Sequence, residues 1–166
     1  MATRRWLAWI STCALIFGFQ HTCPAQSAPA AKQTPRPPTS AAKSRAEIRD
    51  LFVEYLRLHA AKEMTKWAAL FIPEAIAVRT GSDGRVEIYT NMKQFAADIA
   101  ESAKSLQEQH ETFEQVKIAV DGDAGVYETL YSLYHNNKKI QQGRVWFSVV
   151  RVQGTWKIAS FVWFKH

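Results

Sequence analysis

Residues 153–166 read QGTWKIASFVWFKH, and this stretch decides the fold. A Gln-Gly turn leads into a run of aromatic and β-branched residues, a composition typical of a β-strand. Side chains alternate between the two faces of a strand, and large apolar groups fall on both faces here. Trp156 and Phe164 share one parity, whereas Phe161 and Trp163 share the other. Because both faces need cover, we predict that this strand lies inside a sheet.

The loop before this strand leaves two registers open. A two-residue loop at Gln153-Gly154 turns Phe161 and Trp163 inward and Trp156 outward, whereas a three-residue loop reverses each of them. In either register, one face of the strand closes an interior space and the other contributes to an apolar outer surface.

The rest of the chain predicts helices followed by a four-strand antiparallel meander. The strands HETFEQVKIAV, GVYETLYSLYH, GRVWFSVVRV and TWKIASFVWF are joined by the short hairpin links DGDA, NNKK and QG. Before them come a helix capped by Ser44 with Glu47, a short second helix, a strand pair and a third helix capped by Asn91. This order predicts an α+β fold in which a bent sheet wraps around the helices.

The first residues predict export. Arg4 and Arg5 precede an apolar run over residues 6–19 that is short for a membrane span, and small residues follow it. We therefore predict a signal peptide over residues 1–25, with an uncleaved anchor as the alternative. A Pro-, Ala-, Ser- and Thr-rich leader over residues 26–43 would then precede a domain over residues 44–166. We expect a periplasmic or secreted protein with no stable membrane insertion after cleavage.

Charge and cysteine content exclude several classes of function. The net charge is +6, but the basic residues are scattered, whereas a nucleic-acid-binding protein usually carries a basic stripe. Cys13 and Cys23 both precede the predicted domain, which excludes thiol catalysis there. The sequence lacks the histidine spacing of a zinc site and a phosphate-binding glycine motif. We expect no metal, no cofactor and no nucleic-acid partner.

Three stretches resemble the nuclear-transport-factor-2-like superfamily, which includes SnoaL-like and ketosteroid-isomerase-like proteins. KWAALFIPEAIAV (66–78), VKIAVDGDAGV (116–126) and VVRVQGTWKI (149–158) resemble its helix-to-strand passage, an internal hairpin and its final hairpin. The resemblance covers about residues 45–165 and implies a cone-shaped α+β barrel with a pocket between sheet and helices. It implies no single function, because the superfamily contains both enzymes and non-catalytic domains. The Asp/His pairs of its enzymes have no counterpart that we can place here.

Hairpin geometry predicts which side chains face this pocket. We take Gly122-Asp123 as a two-residue loop and pair His135 with Ile140, which places Glu114, Tyr131 and Arg144 side by side on the inner face. The residues predicted to bind a ligand have aromatic, hydroxyl or charged side chains at inward positions. They are Tyr55, Trp67, Glu114, Tyr127, Tyr131, Arg144, Trp146 and Trp163.

Two interpretations of Glu114 and Arg144 stay open. They form a structural ion pair over Tyr131, or Arg144 is left free to hold an anionic or carbonyl-bearing ligand. Glu128 is expected outside, paired with Lys117. His110 begins a predicted strand and has the same alternation as the side chains that face the pocket. It is a weak candidate for a general base; the simpler interpretation is an exposed histidine at the start of a strand.

The same register places Val145, Phe147 and Val149 on the outer face. Such an apolar patch usually marks an interface, so we predict a homodimer through the sheet. The sequence thus predicts an exported domain that binds a small apolar or anionic molecule or acts as a dimeric partner domain. The alternatives are a cofactorless isomerase or dehydratase and a periplasmic part of an envelope complex.

Overall fold

The structure is a computed structural model that describes residues 40–80 and 84–165. The predicted signal peptide and residues 26–39 of the predicted leader lie outside the described residues. Across those two ranges, the helices fall short of the length and apolarity that a membrane span requires. The elements, in chain order, are α1 (Ala41–Ala60), α2 (Met64–Ala68), β1 (Phe71–Thr80), β2 (Val86–Tyr89), α3 (Met92–Ser102), β3 (Gln109–Asp121), β4 (Ala124–His135), β5 (Lys138–Val152) and β6 (Thr155–Lys165).

One curled six-stranded sheet holds the fold together, with strand order β2-β1-β6-β5-β4-β3. The last four strands form the predicted antiparallel meander, and β1 joins β6 in parallel. The predicted α+β class is confirmed, and β6 is an inner strand, as its two apolar faces require. The sheet is not closed into a barrel, because β2 and β3 remain as its two edges within the described residues.

Helix α1 lies in the concave face of the sheet and supplies the centre of the core. Its inward side chains include Ile48, Phe52, Tyr55 and Leu58, each at most 4% exposed. The Phe52 ring stacks on Tyr127 of β4 at 3.8 Å between centroids. Each fully buried side chain of this size contributes roughly 2 kcal/mol of hydrophobic stabilisation.

A bulge in β3 changes the expected pairing of the first hairpin. Asp121 pairs with Ala124 and Lys117 with Glu128, as predicted, but beyond Lys117 the register shifts so that Glu114 lies opposite Leu130 instead of Tyr131. The extra residue is accommodated at Gln115, whose φ is +53°. The Thr129 hydroxyl, fully buried, donates to the Glu114 carbonyl at 2.7 Å and so satisfies a backbone group at the irregular pairing.

The second hairpin is tighter than predicted. Asn136 and Asn137 both have positive φ and form a two-residue turn, so His135 pairs with Lys138 rather than with Ile140. Next to the turn the register differs from the prediction by two residues, and beyond an irregularity at Ile140 it differs by one residue along the rest of the hairpin. A shift of one residue exchanges the two faces of β5.

This exchange corrects the predicted outer patch. Val145, Phe147 and Val149 are 4%, 1% and 1% exposed and lie in the hydrophobic core. The outer surface of the sheet instead carries Trp146 and Phe164, whose rings meet edge to face at 5.4 Å.

The last hairpin has the two-residue loop. Neither of the two predicted sets of inward and outward side chains holds along the whole of β6, however. Val152 pairs with Thr155, but a bulge leaves Ala159 unpaired between Ile158 and Ser160. Trp156 and Phe161, which strict alternation would place on opposite faces, are therefore both buried, at 4% and 5% exposure.

The start of α1 differs from the predicted capping box of Ser44 and Glu47. Ser40, not Ser44, is the N-cap, and the helix begins at Ala41. Glu47 instead accepts hydrogen bonds from Arg151 at 2.6 Å and from the Trp156 indole at 3.1 Å. The Arg151 guanidinium also lies 4.5 Å from the Trp156 ring centroid. Together these contacts tie α1 to the final hairpin.

We predict that Arg151→Met lowers the free energy of unfolding by about 2–4 kcal/mol, since it removes charged hydrogen bonds and leaves Glu47 without its main partner. Chemical denaturation measures this loss. Arg57→Met is the matched control: its ion pair with Glu54 is exposed, so its removal should lower the free energy of unfolding far less than Arg151→Met does. Equal losses in the two variants would contradict the assignment.

Candidate ligand-binding pocket

A pocket of about 390 Å³ opens between the concave face of the sheet and the helices. This volume is within the range of small-molecule sites. The glycine at position 143 makes room at one wall, because a Cβ there would lie 1.8 Å from the Phe164 carbonyl oxygen and 3.1 Å from the Tyr131 ring. The Tyr131 ring can therefore pack closely against β5.

Aromatic rings form most of the wall. Phe161 and Trp163, from β6, stack at 4.9 Å, and Phe161 stacks on Phe147 at 5.4 Å. The aromatic residues that line the pocket are Tyr55, Trp67, Tyr89, Phe95, Phe113, Tyr131, Phe147, Phe161 and Trp163. Flat or apolar molecules gain most from such a surface, through burial and ring contacts.

Polar side chains gather around Glu111, which points inward from β3. Tyr55, from α1, lines the same pocket as Glu111. Burial raises the pKa of Glu111. Burial, followed by the Glu111 charge, raises the pKa of Tyr55 well above its usual value. The pair is therefore a carboxyl and a hydroxyl that share a poorly solvated position.

A second polar pair adjoins the first. His59, near the end of α1, and Gln109, at the start of β3, are 5% and 3% exposed, and the Gln109 amide nitrogen lies 2.9 Å from His59 Nε2. The two side chains form a hydrogen-bonded pair in which the role of Nε2 depends on the His59 tautomer. His135, from β4, lines the same pocket, and burial and His59 lower its pKa.

Comparison with known proteins places this architecture in a family. A family model described as the SnoaL-like domain matches residues 40–162. The chain belongs to the SnoaL-like domain family. No curated protein sequence matches it.

Solved structures share the fold of this SnoaL-like domain at low sequence identity. A nuclear-transport-factor-2-like protein from Novosphingobium aromaticivorans has 13% identity and a TM-score of 0.64, over 75% of this chain and 82% of that one. A protein proposed to be a scytalone dehydratase, from the same organism, has 14% identity and a TM-score of 0.65, over 75% and 85%. A protein of unknown function from Shewanella baltica has 14% identity and a TM-score of 0.61, over 77% and 98%. At these identities the likeness concerns the fold alone.

Four predicted ligand-binding residues of the SnoaL-like domain line the pocket: Tyr55, Trp67, Tyr131 and Trp163. They come from α1, α2, β4 and β6. The helical spacing of α1 and the aromatic run of β6 therefore located two walls of the pocket correctly.

The other four predicted residues lie elsewhere. Tyr127 is inward but fills the core against Phe52. Glu114 is exposed, because the β3 bulge turns it outward. Trp146 lies on the outer surface against Phe164. The predicted inward placement of Glu114 and Trp146 is therefore wrong.

Arg144 is also outward, and it pairs with Glu128 instead of Glu114. Both interpretations that relied on its inward placement are thus wrong. The expected contact of Glu128 with Lys117 is confirmed, at 3.6 Å.

The same bulge explains why sequence reasoning selected the wrong residue at the start of β3. His110 stacks on Tyr134 at 4.7 Å and pairs with Glu108, and it is not among the residues that line the pocket. Its neighbours Gln109 and Glu111 take the inward positions. The available signal was the alternation of Gln109, Glu111 and Phe113, which is readable only once the bulge is known.

We predict that Glu111→Gln raises the melting temperature at neutral pH. A carboxyl whose folded-state pKa is raised stabilises the fold fully only below its unfolded-state value of about 4.3, and this contribution is lost as pH rises through the folded-state pKa. The gain over wild type should therefore shrink as the solution is acidified. Melting curves across pH measure it, and Glu114→Gln, at an exposed position, should change little at any pH. A destabilised Glu111→Gln variant at neutral pH would contradict this reading.

Proposed function

We propose that this domain binds a small, largely apolar aromatic molecule in the pocket between α1, α3 and the sheet. One observation carries the proposal: a pocket of about 390 Å³ with aromatic walls and a small polar cluster at Glu111 and His59. Apolar walls with a few placed polar groups are the usual form of a small-molecule site. The rings supply affinity, and the polar cluster orients the ligand.

The outward position of Arg144 removes the basis for an anionic ligand. The expected anion contact depended on an unpaired inward guanidinium, whereas Arg144 pairs with Glu128 outside. The proposal is thus narrower than the expectation from sequence, which allowed an apolar or an anionic molecule.

Export and dimerisation belong to this proposal as predictions from the sequence. The signal-peptide pattern over residues 1–25 supports action in the periplasm or outside the cell. The exposed apolar side chains of the outer sheet face support a homodimer, with Ile76, Val126 and Phe164 each 39–43% exposed. Native mass spectrometry of the protein purified from its own host reads the mature N-terminus, the oligomeric state and any retained ligand in one spectrum.

We predict that Ile99→Trp, which adds a large ring at the pocket, weakens binding of the neutral naphthalene ketone prodan by about tenfold or more. Prodan fluorescence, which shifts to the blue in apolar surroundings, measures the affinity. Val53→Trp is the matched control, since Val53 is 67% exposed on α1, and it should leave binding unchanged. Equal affinity for prodan in wild type and Ile99→Trp would count against the pocket as the binding site.

A second candidate function is proton transfer without a cofactor. It is favoured by Glu111, a carboxyl that lines the pocket and whose pKa is raised by burial. A general base is most effective when its pKa is close to the working pH, and burial moves Glu111 in that direction. His59 and Tyr131 lie in the same pocket and could hold a reacting carbonyl.

We predict that, if this second function holds, the wild type accelerates exchange of the α-protons of prodan for deuterium, followed by nuclear magnetic resonance. Glu111→Gln should lose at least about 100-fold of this rate, in line with the usual contribution of a general base. Glu114→Gln should retain it. Exchange no faster than in buffer, with prodan bound, would leave ligand binding as the function and reject proton transfer on this probe.

A further inference from the structure

The Tyr131 side chain lies across β5 at the wall of the pocket. Tyr131 of β4 is paired with Gly143 of β5, which has no side chain on the inner face of the sheet. A Cβ at Gly143 would lie 3.1 Å from the Tyr131 ring. The ring therefore passes over Gly143, and its hydroxyl reaches Gln141, which lies two residues away in β5 on the same face.

One hydrogen bond holds the Tyr131 hydroxyl in this position. The Gln141 amide nitrogen donates to the Tyr131 oxygen at 2.5 Å, and both side chains line the pocket. A tyrosine hydroxyl has one hydrogen to donate, in addition to the lone pairs at which it accepts. Gln141 uses a lone pair and leaves the hydrogen available, and no group within residues 40–80 and 84–165 accepts it.

The surroundings of this hydroxyl make the free hydrogen costly for some ligands. Tyr131 is 5% exposed, and Leu133, Val145 and Phe113 line the same pocket. A ligand that fills the pocket displaces water from this space, and a ligand without an acceptor leaves the buried donor unsatisfied. Sites of this kind discriminate strongly against analogues that lack the matching polar group.

We infer that the ligand of this pocket carries a ketone or ether oxygen on its aromatic frame, and that this oxygen accepts a hydrogen bond from the Tyr131 hydroxyl. This inference rests on the proposed binding function and names its ligand class. Tyr131 determines specificity through direct contact, whereas Gln141 is a positioning residue that acts through Tyr131. A hydrocarbon of the same shape fits the aromatic walls but makes no hydrogen bond to Tyr131.

The test compares prodan with its deoxy counterpart, in which a methylene group replaces the carbonyl. Prodan fluorescence gives the affinity of each variant for prodan, and displacement of prodan gives the affinity for the counterpart. Tyr131→Phe should weaken prodan by about 3–10-fold, the usual effect of one neutral hydrogen bond. It should leave the counterpart within about twofold, because the two side chains have the same shape.

Tyr127→Phe is the matched control. Tyr127 lies on the same strand and the same face as Tyr131, but it fills the core against Phe52. Loss of its hydroxyl should leave the affinities for both compounds unchanged. Equal changes in Tyr127→Phe and Tyr131→Phe would show a general effect of packing and would overturn the inference.

Two substitutions of Gln141 test the direction of the hydrogen bond. Gln141→Leu removes the donor that orients Tyr131 and should weaken prodan by about two- to threefold, through loss of preorganisation. Gln141→Glu, measured at alkaline pH where the new carboxyl is ionised, takes the Tyr131 hydrogen for itself. This variant should lose as much prodan affinity as Tyr131→Phe and keep the affinity for the counterpart. Unchanged prodan affinity in Gln141→Glu would show that Tyr131 already donates to Gln141, and the inference would be wrong.

Infrared spectroscopy of prodan labelled at the carbonyl reads the hydrogen bond directly. The C=O stretch should lie at lower frequency in the complex with wild type than in the complex with Tyr131→Phe, because a hydrogen bond weakens the C=O bond. The comparison of wild type with prodan in hexane needs no variant, and it decides the matter if Tyr131→Phe does not fold. A stretch as high in the wild-type complex as in hexane would overturn the inference.

Failure of the inference and failure of the proposed function give different results. If both compounds bind and Tyr131→Phe changes their affinities equally, the inference is wrong and the binding function stands. If neither compound binds to wild type, the pocket is not the binding site for this class of molecule, and both proposals fall.

Discussion

Side chains alternate between the two faces of a regular β-strand. Bulges in β3 and β6 interrupt this alternation, and they determine which side chains of these strands face the helices. Trp156 and Phe161 are five residues apart and would face opposite sides of a regular β6, but the unpaired Ala159 places both in the core. In β3 the irregular pairing at Gln115 turns Glu111 and Phe113 toward the helices, while Lys117 and Glu128 keep their outer contact. Without these two bulges, the core at one end of the sheet and the pocket at the other could not share one concave face.

Sequence patterns predicted the elements of the fold well, because they depend on local chemistry. The aromatic run of β6, the helical face of α1 and the Asn91 cap of α3 each describe interactions within one element or across one turn. The prediction of the site depended on strand register, which the sequence specifies only weakly. The Asn136-Asn137 turn closes with two residues rather than four, and the irregularity at Ile140 leaves a net shift of one residue. This net shift places Arg144 and Trp146 outside and Val145, Phe147 and Val149 inside. No composition signal distinguishes these cases, since valine, phenylalanine and tryptophan suit either face.

The polar cluster lies where the packing of the fold would favour apolar groups. Phe113 and Phe147 approach Tyr55 at 5.7 and 5.6 Å, and Glu111 lines the same pocket as these three rings. A carboxyl in such surroundings lowers stability at neutral pH, and an amide or an apolar group of similar size would avoid that cost. Buried groups of this kind concentrate at functional sites, where they are poised for a charged partner or a proton. The contrast with Arg151 is instructive, because that buried cation is matched by Glu47 and stabilises the fold.

The charge of a whole chain says little about the field inside its pocket. Most basic residues of this domain lie on its surface, where water screens them, whereas Glu111 lines the pocket among aromatic side chains. Inside an aromatic wall the local dielectric is low, so the single carboxyl of Glu111 outweighs several distant surface lysines. The selectivity of the site therefore follows from which side chains the two bulges turn inward. A register shift that replaced Glu111 with His110 at the pocket would exchange a carboxyl for an imidazole in its wall, while leaving the composition of the chain and its fold class unchanged.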